Sequence, residues 1–171
     1  VLVTRINRFF GTSFTSMPCK YDGLKTSNIL VTCVDSAAAR LEISKYRIEN
    51  AGQHPTDKQY YWMDIGNLQQ TGQVILGTNG KITQRAARLL NAVSSLPNVV
   101  QAFPQLKKVK EADQGPSCSM AEALDRQDLF INSVLAEFAG NLLWKLLRKG
   151  LIEYRGCYVN LETLTVNPIK I

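Results

Sequence analysis

Residues 29–40 read ILVTCVDSAAAR, and the parsing of this stretch decides the fold. Residues 28–34 form a nearly continuous apolar run rich in β-branched side chains, the composition of a short strand covered on both faces. The run stops at Asp35. Beyond it Ala37, Ala38, Leu41, Ile43 and Ile48 fall among good helix formers, so a helix over residues 36–48 follows directly. Two further strands are expected in YYWMDIG (60–66) and GQVILG (72–77), bounded by glycine and by the polar NLQQT. Strand, helix and strand at this spacing predict an α/β layer rather than a β-sandwich.

Upstream, VLVTRINRFFG (1–11) has the pattern of an amphipathic helix. Leu2, Val3, Ile6, Phe9 and Phe10 fall near one face, and Gly11 supplies a stop. No capping residue precedes Val1 and there is no initiator Met, so the helix is expected to continue a segment that begins earlier. An exposed strand edge and apolar face left by such a missing part would favour self-association.

Downstream, residues 78–117 are expected to cross the molecule as a long segment. It holds one short helix near 83–95 before Pro97, Pro104 and Pro116 interrupt it. Residues 120–149 then carry a helical repeat of Ile131, Val134, Leu135, Phe138, Leu142 and Leu146, with a basic last turn and Gly150 as the stop. The tail LIEYRGCYVNLETLTVNPIKI alternates as two or three short antiparallel strands, with a turn expected near Arg155 and Gly156.

Composition narrows the function classes. At 171 residues and 45% hydrophobic content the chain can bury a core as a single domain over 1–171. No run of eighteen apolar residues occurs and no signal-peptide pattern opens the chain, so a cytoplasmic protein is expected. The net charge of +6 raises a nucleic-acid role. The basic residues are scattered, however, with LKKVK and WKLLRKG the only clusters, and solvated faces are the favoured reading. The cysteines (Cys19, Cys33, Cys118, Cys157) form no CxxC pair, and His54, in a turn-like GQHPTDK, is the only histidine. A zinc site is therefore not expected, and Cys33 and Cys157 read as core residues within apolar strands.

Asp35 and Arg40 are the candidates for chemistry. In an open α/β sheet, ligands bind at the carboxyl ends of the strands, where Asp35 would stand. A carboxylate there can hold magnesium or orient a nucleotide, and Arg40 can offer a forked cation to the same polyanion or pair with Asp35. The alternative is that Asp35 simply caps the helix.

ILVTCVDSAAARLEI resembles the segment of the ThiF/MoeB/HesA and ubiquitin-activating enzyme family that runs from a sheet strand into Asp-Asn and an arginine-bearing helix. YYWMDIGNLQQTGQVILG is similar to that family's following strands, and RINRF to the end of its helix with an Ile-Asn pair. The likeness extends furthest to the ThiF-like members of PRTRC cassettes, found with ParB-related proteins on plasmids and genomic islands. There PSCSMAEALDRQDLFINSVLAEFAGNLLWKLLRKG and YVNLETLTVNPI are similar nearly throughout.

The resemblance implies a Rossmann-type sheet with flanking helices and a C-terminal β-hairpin. It covers the later half to two-thirds of such a protein, so the N-terminal nucleotide-binding half is expected upstream of Val1. The implied activity is magnesium-ATP-dependent adenylation of the C-terminal carboxylate of a small ubiquitin-like protein, by a homodimer. Asp35 matches the metal- and nucleotide-associated aspartate, with Ser36 replacing the family's Asn, and Arg40 matches the motif arginine. Cys118 stands where thioester-forming members carry a catalytic cysteine, here followed by Ser119 and Met120. A helix N-terminus would favour its thiolate. The alternative is a small residue before a helix capped by Ser117 or Ser119, and Gln127 and Asn132 read as packing or capping residues. No G-x-G-x-x-G phosphate loop occurs in the chain, so tight ATP binding by these residues alone is not expected. The competing class is a non-catalytic interaction module for protein or DNA in plasmid or genomic-island maintenance.

Overall fold

The structure, a computed structural model, describes residues 1–23, 27–49, 58–83, 91–108 and 128–171. Its elements in chain order are α1 (Leu2–Phe10), β1 (Ile29–Thr32), α2 (Ala37–Glu49), β2 (Tyr61–Asn67) and β3 (Thr71–Thr78). There follow the single turn α3 (Val99–Ala102), a 3-10 turn (Pro104–Lys108), the long helix α4 (Ile131–Lys149), and the strands β4 (Tyr154–Asn160) and β5 (Thr165–Lys170). The strands form one sheet in chain order, β1-β2-β3-β4-β5. Only β1 and β2 run parallel, joined through α2; the other neighbours are antiparallel. The fold is α/β with a mixed sheet.

Consecutive burial along β2 and β3 has a simple cause, since both faces of the sheet are covered. Met63, Val74, Leu76, Cys157 and Val159 face α4, which buries Ile131, Leu135, Ala139 and Leu142 at helical spacing. Trp62 and Ile75 point the other way and pack with Ile43 of α2 and Val99 of α3. The two-residue alternation of a strand assigns Trp62, Asp64 and Gly66 to this second face. Each large aliphatic side chain so buried contributes about 1.5–3 kcal/mol.

Several expectations change. The strand at 29–32 is an edge strand with Val31 44% exposed, rather than one covered on both faces. The hairpin does not turn at Arg155 and Gly156, which lie within β4; residues 161–164 make the turn, where Thr163 N donates to Asn160 Oδ1 (3.1 Å) and Leu164 adopts φ 54°. Gly156 serves close approach instead, because a Cβ there would overlap the Val74 carbonyl oxygen on β3. Arg155 is likewise engaged, donating from Nη1 to the Pro97 carbonyl (2.8 Å). Of the helix expected near 83–95, residues 83 and 91–95 are not helical, and residues 84–90 lie outside the described residues. In the 120–149 repeat the described helix begins at Ile131.

The opening helix forms as expected and ends at Gly11 in the left-handed region (φ 65°). Asn7 closes that end by accepting from Phe14 N (2.9 Å) and Thr12 Oγ1 (2.8 Å) and donating to the Phe14 carbonyl (2.8 Å). None of its residues is buried, and Phe9 is 82% exposed. Among the described residues no helix is long and apolar enough to cross a membrane.

Two glycines give opposite expectations in a urea titration. Gly156→Ala forces a Cβ into the β3 backbone and should cost about 1–3 kcal/mol. A Cβ on Gly140, inside α4, meets nothing within 4 Å, so Gly140→Ala should raise stability by about 1 kcal/mol.

Candidate functional site

The carboxyl end of β1 is organised by a charge that the strand pattern hides. Asp64, in the middle of β2, is 0% exposed, and an ionised carboxylate in that position needs compensating partners. It has them. Arg40, 7% exposed, reaches from the first turns of α2 and donates from Nε to Asp64 Oδ2 (2.9 Å) and Oδ1 (3.1 Å). Thr32, the register partner of Asp64 on β1, donates its hydroxyl to Oδ1 (2.8 Å). Trp62 Nε1 in turn donates to Thr32 Oγ1 (2.8 Å), which leaves the hydroxyl proton directed at the carboxylate.

Space for the guanidinium comes from Gly66, two residues beyond Asp64 on the same face. A Cβ there would stand 2.7 Å from Arg40 Nη2. Arg40 Nη1 lies 3.5 Å from the Ser36 carbonyl oxygen, a long contact that points back to the turn before α2. Thus Arg40 pairs with Asp64 and not with Asp35, the alternative partner raised from sequence.

Asp35 itself is exposed, in the turn between β1 and α2. The helix cap is its neighbour: Ser36 Oγ accepts from Ala39 N (3.1 Å), the position of an N-cap serine. Among the described residues no hydrogen bond or ion pair engages Asp35. The capping explanation for this carboxylate is therefore replaced by Ser36.

Cys33 also belongs to this turn. It is exposed rather than core, because the strand ends at Thr32 and Cys33 falls in the connection. Desolvation by the nearby sheet, then the Asp64 charge, push its thiol pKa up, and Arg40 offsets part of this. A thiol so held is a poor nucleophile near neutral pH. Cys157 is buried in β4 as expected, and burial raises its pKa as well. Cys118, Gln127 and His54 lie outside the described residues; Asn132 is exposed on α4. Among the described residues no three His, Cys, Asp or Glu side chains gather as a metal-binding group.

The sequence reading missed Thr32, Trp62 and above all Asp64. The available signal was the acidic residue inside YYWMDIG, since a charge in an otherwise apolar strand implies a buried partner. Comparison with models of known protein families finds no match to this chain, and no curated protein matches it.

The two aspartates should respond oppositely to truncation. Asp64→Ala strands a buried guanidinium and should cost about 3–5 kcal/mol in urea unfolding. Asp35→Ala, at an exposed position with no partner among the described residues, should stay within about 0.5 kcal/mol of the parent.

Proposed function

We propose that this chain is part of a ThiF-type adenylyltransferase that activates the C-terminal carboxylate of a small ubiquitin-like protein with magnesium ATP. The observation that carries the reading is the carboxylate of Asp35, which has no partner among the described residues. It stands exposed at the carboxyl end of β1, in the chain's only described βαβ unit, while Ser36 caps the helix and Asp64 neutralises Arg40. A carboxylate at that place with no partner among the described residues is suited to a ligand. A single Asp fits magnesium, which is held by one or two carboxylates together with substrate phosphates and waters.

In the reaction, a carboxylate oxygen of the partner's terminus attacks the α-phosphorus of ATP. The bond from that phosphorus to the bridging oxygen breaks, and pyrophosphate leaves. Magnesium bound at Asp35 would neutralise charge on the phosphates. Arg40, committed to Asp64, acts on the site through its position. On this reading the backbone amides that cradle the triphosphate come from outside residues 1–171, because no G-x-G-x-x-G run occurs among them. Cys118 is the proposed acceptor of the acyl group: its thiolate attacks the acyl carbon, AMP leaves, and a thioester forms.

Asp35→Asn in the full-length protein should lower magnesium-dependent pyrophosphate–ATP exchange by about 100-fold or more, the scale of losing one charge-stabilising contact at a reacting centre. Undiminished exchange would remove Asp35 from the reaction. No exchange in the parent would favour the interaction-module reading.

For Cys118, a small alkylating reagent should modify it ahead of Cys157, which is buried with a raised pKa. Cys118→Ala should abolish a reductant-sensitive adduct with the partner and leave exchange intact, whereas Cys118→Ser should trap a more durable ester. An adduct that persists in the alanine variant rules out the thioester.

A further inference from the structure

We infer that Arg40 and Asp64 are positioning residues, whose buried ion pair braces the turn of residues 33–36 and so fixes where Asp35 presents its carboxylate. The inference rests on the nucleotide reading above and adds to it the residues that aim the site. Both ends of the turn are tied to one carboxylate: Thr32, just before it, donates to Asp64 Oδ1, and Arg40, in α2 just after it, donates to both oxygens. Within the turn, Ser36 accepts from Ala39 N through its side chain and from Arg40 N through its carbonyl (3.4 Å).

The constraint is directional as well as attractive. Trp62 Nε1 orients the Thr32 hydroxyl, and the bare Cα of Gly66 leaves room for the guanidinium, since a Cβ there would stand 2.7 Å from Arg40 Nη2. An exposed carboxylate on an unbraced turn would sample many positions, while a metal–phosphate cluster requires one. Groups that orient a ligating residue from behind typically alter metal affinity by about 10–100-fold when removed.

The decisive variant is Arg40→Met combined with Asp64→Leu, which removes both charges and leaves neither buried alone. Paired apolar replacement of this kind usually preserves folding. In the chain itself, the amide hydrogens of residues 39 and 40 should exchange with solvent about 10-fold faster or more, while those of β3 keep their protection. In the full-length protein, the Kd for magnesium ATP should rise about 10–100-fold with a smaller change in kcat. If the double variant does not fold, Gly66→Ala keeps both charges but crowds the guanidinium, and it should raise the same Kd several-fold.

Unchanged exchange at residues 39 and 40 overturns the brace. A loosened turn with unchanged magnesium ATP affinity also overturns the inference, since the pair then only holds α2 to the sheet. A parent protein that neither binds magnesium ATP nor exchanges pyrophosphate fails differently. That result overturns the nucleotide reading and takes the positioning role with it.

Discussion

A carboxylate sealed from water must be met by a cation, and the cation that meets Asp64 comes from a different layer of the fold. That requirement ties three elements together. The helix α2 supplies Arg40, β1 supplies the Thr32 hydroxyl, and β2 holds the acceptor between them. Apolar packing of Ile43, Trp62 and Ile75 would tolerate small slides of α2 over the sheet. A hydrogen-bonded ion pair tolerates far fewer. It also favours the observed pairing of β2, because a shift by one residue would turn Asp64 toward the apolar face that packs against Ile131 and Leu135 of α4.

The sequence made this framework legible wherever a single periodicity applied over enough residues. The apolar repeat of α4, its glycine stop and the presence of strands at β2 and β3 were all readable, because the helix repeats over several turns and the strands are bounded by glycine and polar residues. The errors fell at positions where chain-local rules meet a tertiary demand. Arg155 and Gly156 have turn chemistry, yet Gly156 is needed for backbone proximity to Val74 and Arg155 for the Pro97 carbonyl. The apolar run through residues 28–34 suggested a covered strand, but β1 lies at the sheet edge with Val31 exposed, and no local pattern encodes that edge position. Asp35 was legible as a candidate because it ends the apolar run, three residues beyond β1. The charge of Asp64 inside an apolar strand was visible, but its partner was not, because Arg40 lies 24 residues away along the chain.

The site thus divides its charges by environment. Asp64 and Arg40 neutralise each other in the interior, and Asp35 remains in water. Cys33, sharing the turn, is kept in its thiol form by the same sheet and by the Asp64 charge. A thiol whose pKa is pushed up is a weaker ligand for soft metals than a free thiolate would be.

The two edges of the sheet are chemically unlike. In β5, Pro168 lies opposite Cys157 and has no amide hydrogen, so a strand approaching from outside finds a gap in the donor ladder. Lys170 and the register shift between Tyr154 and Gly156 disturb that side further. At the other edge, Ile29–Thr32 contains no proline, and among the described residues no backbone hydrogen bond occupies its outer side. Among the described residues the two edges therefore differ: next to β5 the donor ladder is broken by Pro168, whereas next to β1 the edge is blunted only at its start, where Ser27 Oγ donates to the Ile29 carbonyl (2.6 Å).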